Sequence, residues 1–331
     1  MDPLTHIAAG ALAGQAVRKW FSGKAVLLFS IVAAVVPDID NLVGGTNPEM
    51  YLLHHRGITH SLVGGAGIAV LLAVLFRPVL RERPLRVLFL IGFGSLLSHI
   101  FLDLVTSYGT QILLPFTNER YTLQSVFIID PVFTFLLLAC LAFSLWNSKK
   151  RTQVAMLGLC IMLFYPFMTL SVRLGLSSAL GAQLKAEGVR YERLHLSPEL
   201  LTPYRWKMII EDRDSFRLAD ISLRDLGGHI SFSEFRKADL SLMEDLGAQA
   251  SMFKTYRWFS LYPVMENSAT PEGRRITFGD LRFYSAAPFM RDIWRKGRPP
   301  FLLTAVIDRS GTLRAYEYSR PRGSVFVRTL N

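Results

Sequence analysis

The chain has 331 residues, 50% of them hydrophobic, and carries a formal net charge of +11. It is too apolar for an ordinary soluble protein and too long for one small domain. Its basic residues are dispersed and no zinc-finger, homeodomain or RNA-binding motif accompanies them, so nucleic acid is excluded as a partner; cytoplasmic loops and anionic headgroups account for the Lys and Arg.

In chain order, residues 4–20 and 24–36 form a short apolar helix pair joined by RKWFSGK. At about 1.5 Å per residue these helices barely span a bilayer. The small residues of AAGALAG favour close helix packing. MDPLTHIAAGALAG lacks the basic start of a cleavable signal peptide. Four longer runs, roughly 61–80, 85–107, 128–146 and 153–176, have the length of spanning helices. Cys140 and Cys160 lie within such runs and read as packing residues, without a disulfide framework.

Beyond residue 185 the composition changes. RWKMIIEDRDSFRLADISL reads as two strands around a polar turn, and 232–260 can hold one or two helices. RRITFGDLRFYS reads as a strand and PFLLTAVIDRSGTLRAYEYS as a hairpin turning at Asp308–Gly311. There is no internal repeat, P-loop or dinucleotide fingerprint. The expected architecture is an α-helical membrane domain over 1–180, with about four spanning helices plus the short N-terminal pair. A soluble α+β domain follows over 185–331.

Lys and Arg cluster in the loops 18–24, 77–86 and 147–152, whereas 37–60 and 108–127 contain only Arg56 and Arg120. The positive-inside rule puts the basic loops in the cytoplasm and the other segments, with the tail, outside. That assignment brings one set of polar residues to one membrane face: His6 in THIAAG, Asp38 and Asp40 in VVPDID, His54, His55 and His60 in HHRGITHS, and His99 and Asp103 in SHIFLDLVTSYGT. Burying such groups in hydrocarbon is costly unless they pair, bind metal or face water.

His99 and Asp103 are four residues apart, so both project from one helical face as an imidazole and a carboxylate suited to zinc or another divalent ion. Pro37 ends the preceding helix and leaves Asp38 and Asp40 on a turn that splays them, one to bind metal and the other to orient a histidine. Gly57 permits a bend, Thr59 or Ser61 can cap the next helix, and Arg56 can fork onto a phosphate oxygen. The candidate metal set is His6, Asp38, His55, His60, His99 and Asp103, with Asp40 and Arg56 as catalytic groups. Simpler roles compete. His54 and His6 can be interfacial, Asp103 can pair with Thr106 or Ser107, and Asp2 and Asp130 can cap helices. His195 and His229 read as surface residues without partners.

THIAAGALAG, VVPDID, HHRGITHS and SHIFLDLVTSYGT together resemble the membrane-bound metal-dependent hydrolase family, whose members are also labelled LexA-binding, inner-membrane-associated hydrolases. The resemblance covers roughly residues 1–180, and the RWKMIIED and TFGDLRFY stretches look like the soluble tail of longer members. The family is in turn remotely similar to zinc-dependent phospholipase C and the fungal single-strand nucleases, all-α enzymes that cleave phosphoesters with clustered zinc. Those enzymes also bind zinc through the amino terminus of the mature chain, for which this sequence offers no indication. The resemblance implies a metal-dependent hydrolase of the bacterial inner membrane, with zinc as the expected ion; a site at the lipid–water boundary adds the expectation of a phosphate-bearing lipid-like substrate, a phospholipid or isoprenoid phosphate. Two alternatives stand beside it: a non-enzymatic membrane protein with a structural metal or headgroup site working through envelope partners, and a transporter. Charges gathered at one face disfavour the transporter. Protein partners are not legible.

Overall fold

In the computed structural model the described residues are 1–331 without 22, 44–46, 225, 286–298, 321, 322 and 331. They form ten α-helices: α1 Pro3–Val17, α2 Ala25–Val35, α3 Asp40–Val43, α4 Pro48–His54, α5 Leu62–Phe76, α6 Leu85–Leu104, α7 Pro131–Trp146, α8 Arg151–Ala186, α9 Leu240–Gln249 and α10 Ser251–Phe259. Nine strands accompany them: β1 Arg193–Pro198, β2 Arg205–Glu211, β3 Ser215–Ser222, β4 Ser233–Arg236, β5 Pro263–Thr270, β6 Gly273–Asp280, β7 Leu303–Asp308, β8 Leu313–Ser319 and β9 Val325–Thr329. The chain packs as two units. One comprises 1–43, 54–174 and 200–203; the other comprises 44–53, 175–199 and 204–331.

The first unit is helical. Asp2 caps α1 by accepting from the Thr5 N–H at 3.1 Å, and Pro3 stands where the helix needs no donor. Gly10 lets α1 lie directly on α2: a Cβ there would come 2.5 Å from the Ala34 Cβ. Leu12, Leu102, Phe133, Leu137 and Tyr165 form one core cluster, and Phe29, Leu72, Leu88 and Leu96 another. Asp130 caps α7 through the Phe133 N–H at 2.9 Å and also accepts from the Tyr165 hydroxyl at 3.1 Å.

Three helical stretches among the described residues are long and apolar enough to cross a membrane: 25–42, Leu85–Leu104 and Arg151–Ala186. Pro48–His60 taken with Leu62–Phe76 makes a fourth. Here the structure departs from the expected runs. The second member of the short N-terminal pair qualifies, because a 3-10 turn, Val36–Ile39, and α3 continue it past Pro37. The run expected at 61–80 holds only the 15 residues of α5 and passes only with the helix before it. The run at 128–146 begins at Pro131 and has 16 residues. The run at 153–176 extends to Ala186, with Pro166 inside it. Leu71, Leu75, Leu90, Phe135 and Phe164 are exposed, an apolar surface that suits lipid rather than water.

The second unit carries two antiparallel sheets, in orders β1-β2-β3-β4 and β5-β6-β7-β8-β9. β2–β3 and the β7–β8 hairpin fall where the hydrophobic alternation places them; β1, β4, β5 and β9 are additional to the sequence expectation. Ile209, Leu218, Val264 and Leu281 form a core cluster. Within this unit α10 holds α4, Ser251 and Thr255 donating to the Glu49 carboxylate at 2.9 and 3.0 Å. Lys207 is buried in β2, where its ammonium donates to the carbonyls of Arg282 and Tyr284, and desolvation pulls its pKa below the ordinary value. His195 is not unpartnered as its sequence context suggests, since its Nε2 lies 3.4 Å from Glu211.

Candidate metal centre

α6 supplies the rigid half of the site. His99 Nε2 lies 3.5 Å from Asp103 Oδ2 across one helical turn. The segment between α4 and α5 supplies the other half, because a 3-10 turn over Ile58–His60 presents His60 before Ser61 caps α5 through the Gly64 N–H at 2.9 Å. A Cβ on Gly64 would stand 1.8 Å from the Ile58 carbonyl oxygen, so this approach requires glycine. His60 Nε2 then sits 3.0 Å from His99 Nε2 and 3.2 Å from Asp103 Oδ2. Asp38, on the 3-10 turn that follows α2, places Oδ1 3.8 Å from both histidine Nε2 atoms.

These four donor atoms lie within 4.8 Å of one another. A tetrahedral zinc site with bonds of 2.0–2.1 Å has edges of roughly 3.3 Å, so the spacing fits. The protonation pattern fits as well. His99 Nδ1 is 2.7 Å from the Ala34 carbonyl oxygen, which can only accept, so His99 carries its proton there. His60 Nδ1 faces the Asp40 carboxylate at 3.0 Å, so its proton sits on that side. In the neutral rings both Nε2 atoms then bear lone pairs, and they point at each other. Asp103 Oδ2 is buried without a hydrogen-bond donor. Four electron-rich atoms converging in a buried place call for a cation.

Asp40 stands behind this cluster. Its Oδ1 is 2.9 Å from His55 Nδ1, and its Oδ2 accepts from the Arg56 N–H and the Thr59 hydroxyl, each at 2.9 Å, besides facing His60. A carboxylate so fully engaged orients His60 and is not free to take a proton from water, so the base role expected for it does not fit this geometry. His55, expected as a ligand, is turned onto Asp40 and away from the four-atom cluster. His54 stays exposed on α4.

Arg56 also differs from expectation. Instead of facing an open space where a phosphate could bind, it is buried: one guanidinium nitrogen lies 2.8 Å from Asp103 Oδ1, and the other donates to the Asp103 carbonyl and the Thr106 hydroxyl at 3.1 and 2.8 Å. Its backbone is left-handed, at φ 56°, which lets the N–H reach Asp40 while the side chain reaches Asp103. Thr106 bonds the Asp103 backbone and not its carboxylate. The Met1 amino group forms an ion pair with Asp103 Oδ1, a contact that the sequence does not indicate. His6 stacks on His99 with centroids 3.7 Å apart, and its Nε2 lies 3.3 Å from the same Asp103 oxygen. The two oxygens of Asp103 therefore divide their neighbours, Oδ1 toward Met1, His6 and Arg56, and Oδ2 toward His60 and His99.

Other participants were not legible in the sequence. Tyr108 lies beneath the guanidinium groups of both Arg56 and Arg120, and Arg120 donates to the His55 carbonyl at 3.0 Å. Of the four converging side chains only Asp38 reaches solvent, at 27% exposure, against 1% or less for His60, His99 and Asp103.

The model of a family described as "YdjM inner membrane protein" matches residues 1–176. The chain is 24% identical over 333 residues to the uncharacterized protein YfhP of Bacillus subtilis (strain 168), covering 95% of this chain and 94% of that protein. No solved structure matches it.

Proposed function

The chain belongs to the YdjM inner membrane protein family, and we propose that within that membrane it is a metal-dependent hydrolase acting on a phosphoester of phospholipid or isoprenoid-phosphate type. The observation that carries the reading is the convergence of His60 Nε2, His99 Nε2, Asp103 Oδ2 and Asp38 Oδ1 with their lone pairs facing inward. Zinc is the ion this imidazole and carboxylate set suits best. A divalent ion bound there supplies Lewis acidity and lowers the pKa of water toward neutrality.

The chain's own residues have distinct tasks in this reading. Asp40 and the Ala34 carbonyl fix the tautomers of His60 and His99, so each offers Nε2. Arg56 holds Asp103 and offsets its buried charge. Asp38, the solvent-reaching member, marks the side from which water and substrate enter, and it is the carboxylate best placed to take a proton from water. His6 covers the opposite side by stacking on His99 and excludes water there.

The distribution of Lys and Arg supports an extracytoplasmic site. Arg77 follows α5 and Arg86 opens α6, at the ends of those helices remote from His60 and Asp103. A polar centre at the end of lipid-facing helices suits a substrate with a phosphate head and an apolar tail.

A second reading, a structural metal site, is favoured by the presence of four protein donors, which would fill a tetrahedron and leave no position for water. Turnover separates the two. Metal-loaded wild-type protein is expected to hydrolyse members of a phosphoester and phospholipid panel, and His60→Ala is expected to be inert. Folded, metal-loaded wild type without turnover on any member would favour the structural site.

A further inference from the structure

A groove of about 370 Å³ lies along α6 in the helical unit. Leu97, Phe101 and Leu104 line it, at helical spacing on one face, whereas His99 and Asp103 stand roughly 200° further round the same helix. Leu62 of α5, Ile112 and Met162 of α8 form the other walls. The only polar side chain in the lining is Ser98, and its hydroxyl is turned onto the Ser95 carbonyl at 2.6 Å. The groove offers a ligand no polar partner and is built for hydrocarbon.

Its length is informative. From Gly94 to Leu104 at about 1.5 Å per residue the lining runs roughly 15 Å along α6, half of the roughly 30 Å hydrocarbon core of a bilayer. One end stands level with Asp103 and with Leu62, two residues after His60; the other lies one leaflet deeper. Leu62 and Leu163 at its rim are exposed and continuous with the apolar surface of a membrane protein, so the groove opens sideways into lipid.

We propose that this groove holds a single hydrocarbon chain of a membrane lipid in the leaflet on the His–Asp side, with the lipid's polar end at the level of the metal-ligand cluster. Walls from three sides give a chain packing contacts that a flat helical face lacks. The proposal does not depend on hydrolysis, and it holds equally for a substrate tail and for a resident lipid.

The test uses the full chain in phosphatidylethanolamine–phosphatidylglycerol vesicles doped with a phospholipid bearing a diazirine in one acyl chain. After irradiation, mass spectrometry is expected to find labelling concentrated on peptides carrying Leu97, Phe101 and Ile112, above more exposed apolar positions such as Phe135. Gly94→Trp should lower that labelling several-fold and leave the labelling of Phe135 and the metal content unchanged. Gly94 lines the groove and a Cβ there meets no atom within 4 Å, so an indole has room at the groove without displacing the core. Leu163→Trp, from the opposite rim, should act in the same way if the first variant folds poorly. Labelling that simply follows exposure, or that survives both substitutions in folded protein, would overturn the proposal.

Discussion

His60 and His99 face each other through Nε2 at 3.0 Å while the Nδ1 atoms of both are engaged by acceptors, Asp40 and the Ala34 carbonyl. Two neutral imidazoles held this way cannot satisfy each other. The groups that fix the tautomers are thus as much part of the candidate site as the donors.

Asp40→Asn should therefore weaken metal binding without touching any of the four donor atoms. Loss of a carboxylate that orients a liganding histidine costs about 10–100-fold in affinity. Competition titration against a chelator measures this. Unchanged affinity would remove Asp40 from the account.

Arg56→Ala should destabilise the helical unit, because it leaves Asp103 a buried carboxylate short of its guanidinium. Breaking such a pair from one side costs about 3–5 kcal/mol. Arg56→Gly should be less harmful than Arg56→Ala by about 1 kcal/mol, since glycine adopts the left-handed backbone at φ 56° without strain. Unfolding of both variants in detergent, followed by helical circular dichroism, gives the difference. An alanine variant as stable as wild type would contradict the ion pair.

Gly64→Ala should displace the turn that carries His60, given the 1.8 Å approach of its Cβ to the Ile58 carbonyl. The expected outcome is loss of bound metal with the soluble unit still folded. Gly67→Ala, where a Cβ meets no atom within 4 Å, is the control on the same helix and should behave as wild type.

Asp38→Asn should keep part of the metal affinity and lose turnover, because Asp38 is the donor that reaches solvent. Turnover equal to wild type on a phosphoester substrate would assign the proton transfer elsewhere.

The local logic of single elements was legible in the sequence. The i, i+4 spacing of His99 and Asp103, the cap at Ser61 and the β7–β8 turn each depend on residues close in the chain. What escaped depends on long-range contact. Arg56 reads as a phosphate ligand by residue type, but its partner Asp103 lies 47 positions away, on α6. Arg120 and Tyr108 carry no motif, and the Met1 amino group meets Asp103 only because α1 packs against α6. Strand β5, PVMENSAT, is largely exposed and polar, so hydrophobic alternation could not mark it. The ends of α5 and α8 are not marked by hydropathy, because apolar composition continues across Arg77 past the end of α5 and stops before α8 does.

Metal analysis of the purified chain decides whether His60, His99, Asp103 and Asp38 hold an ion. After purification without chelator and passage through a desalting column, wild type should retain a divalent ion, zinc foremost, and the His99→Ala, Asp103→Ala double variant should not. A folded wild type that neither retains nor takes up any divalent ion, or a double variant that keeps it, would contradict the account.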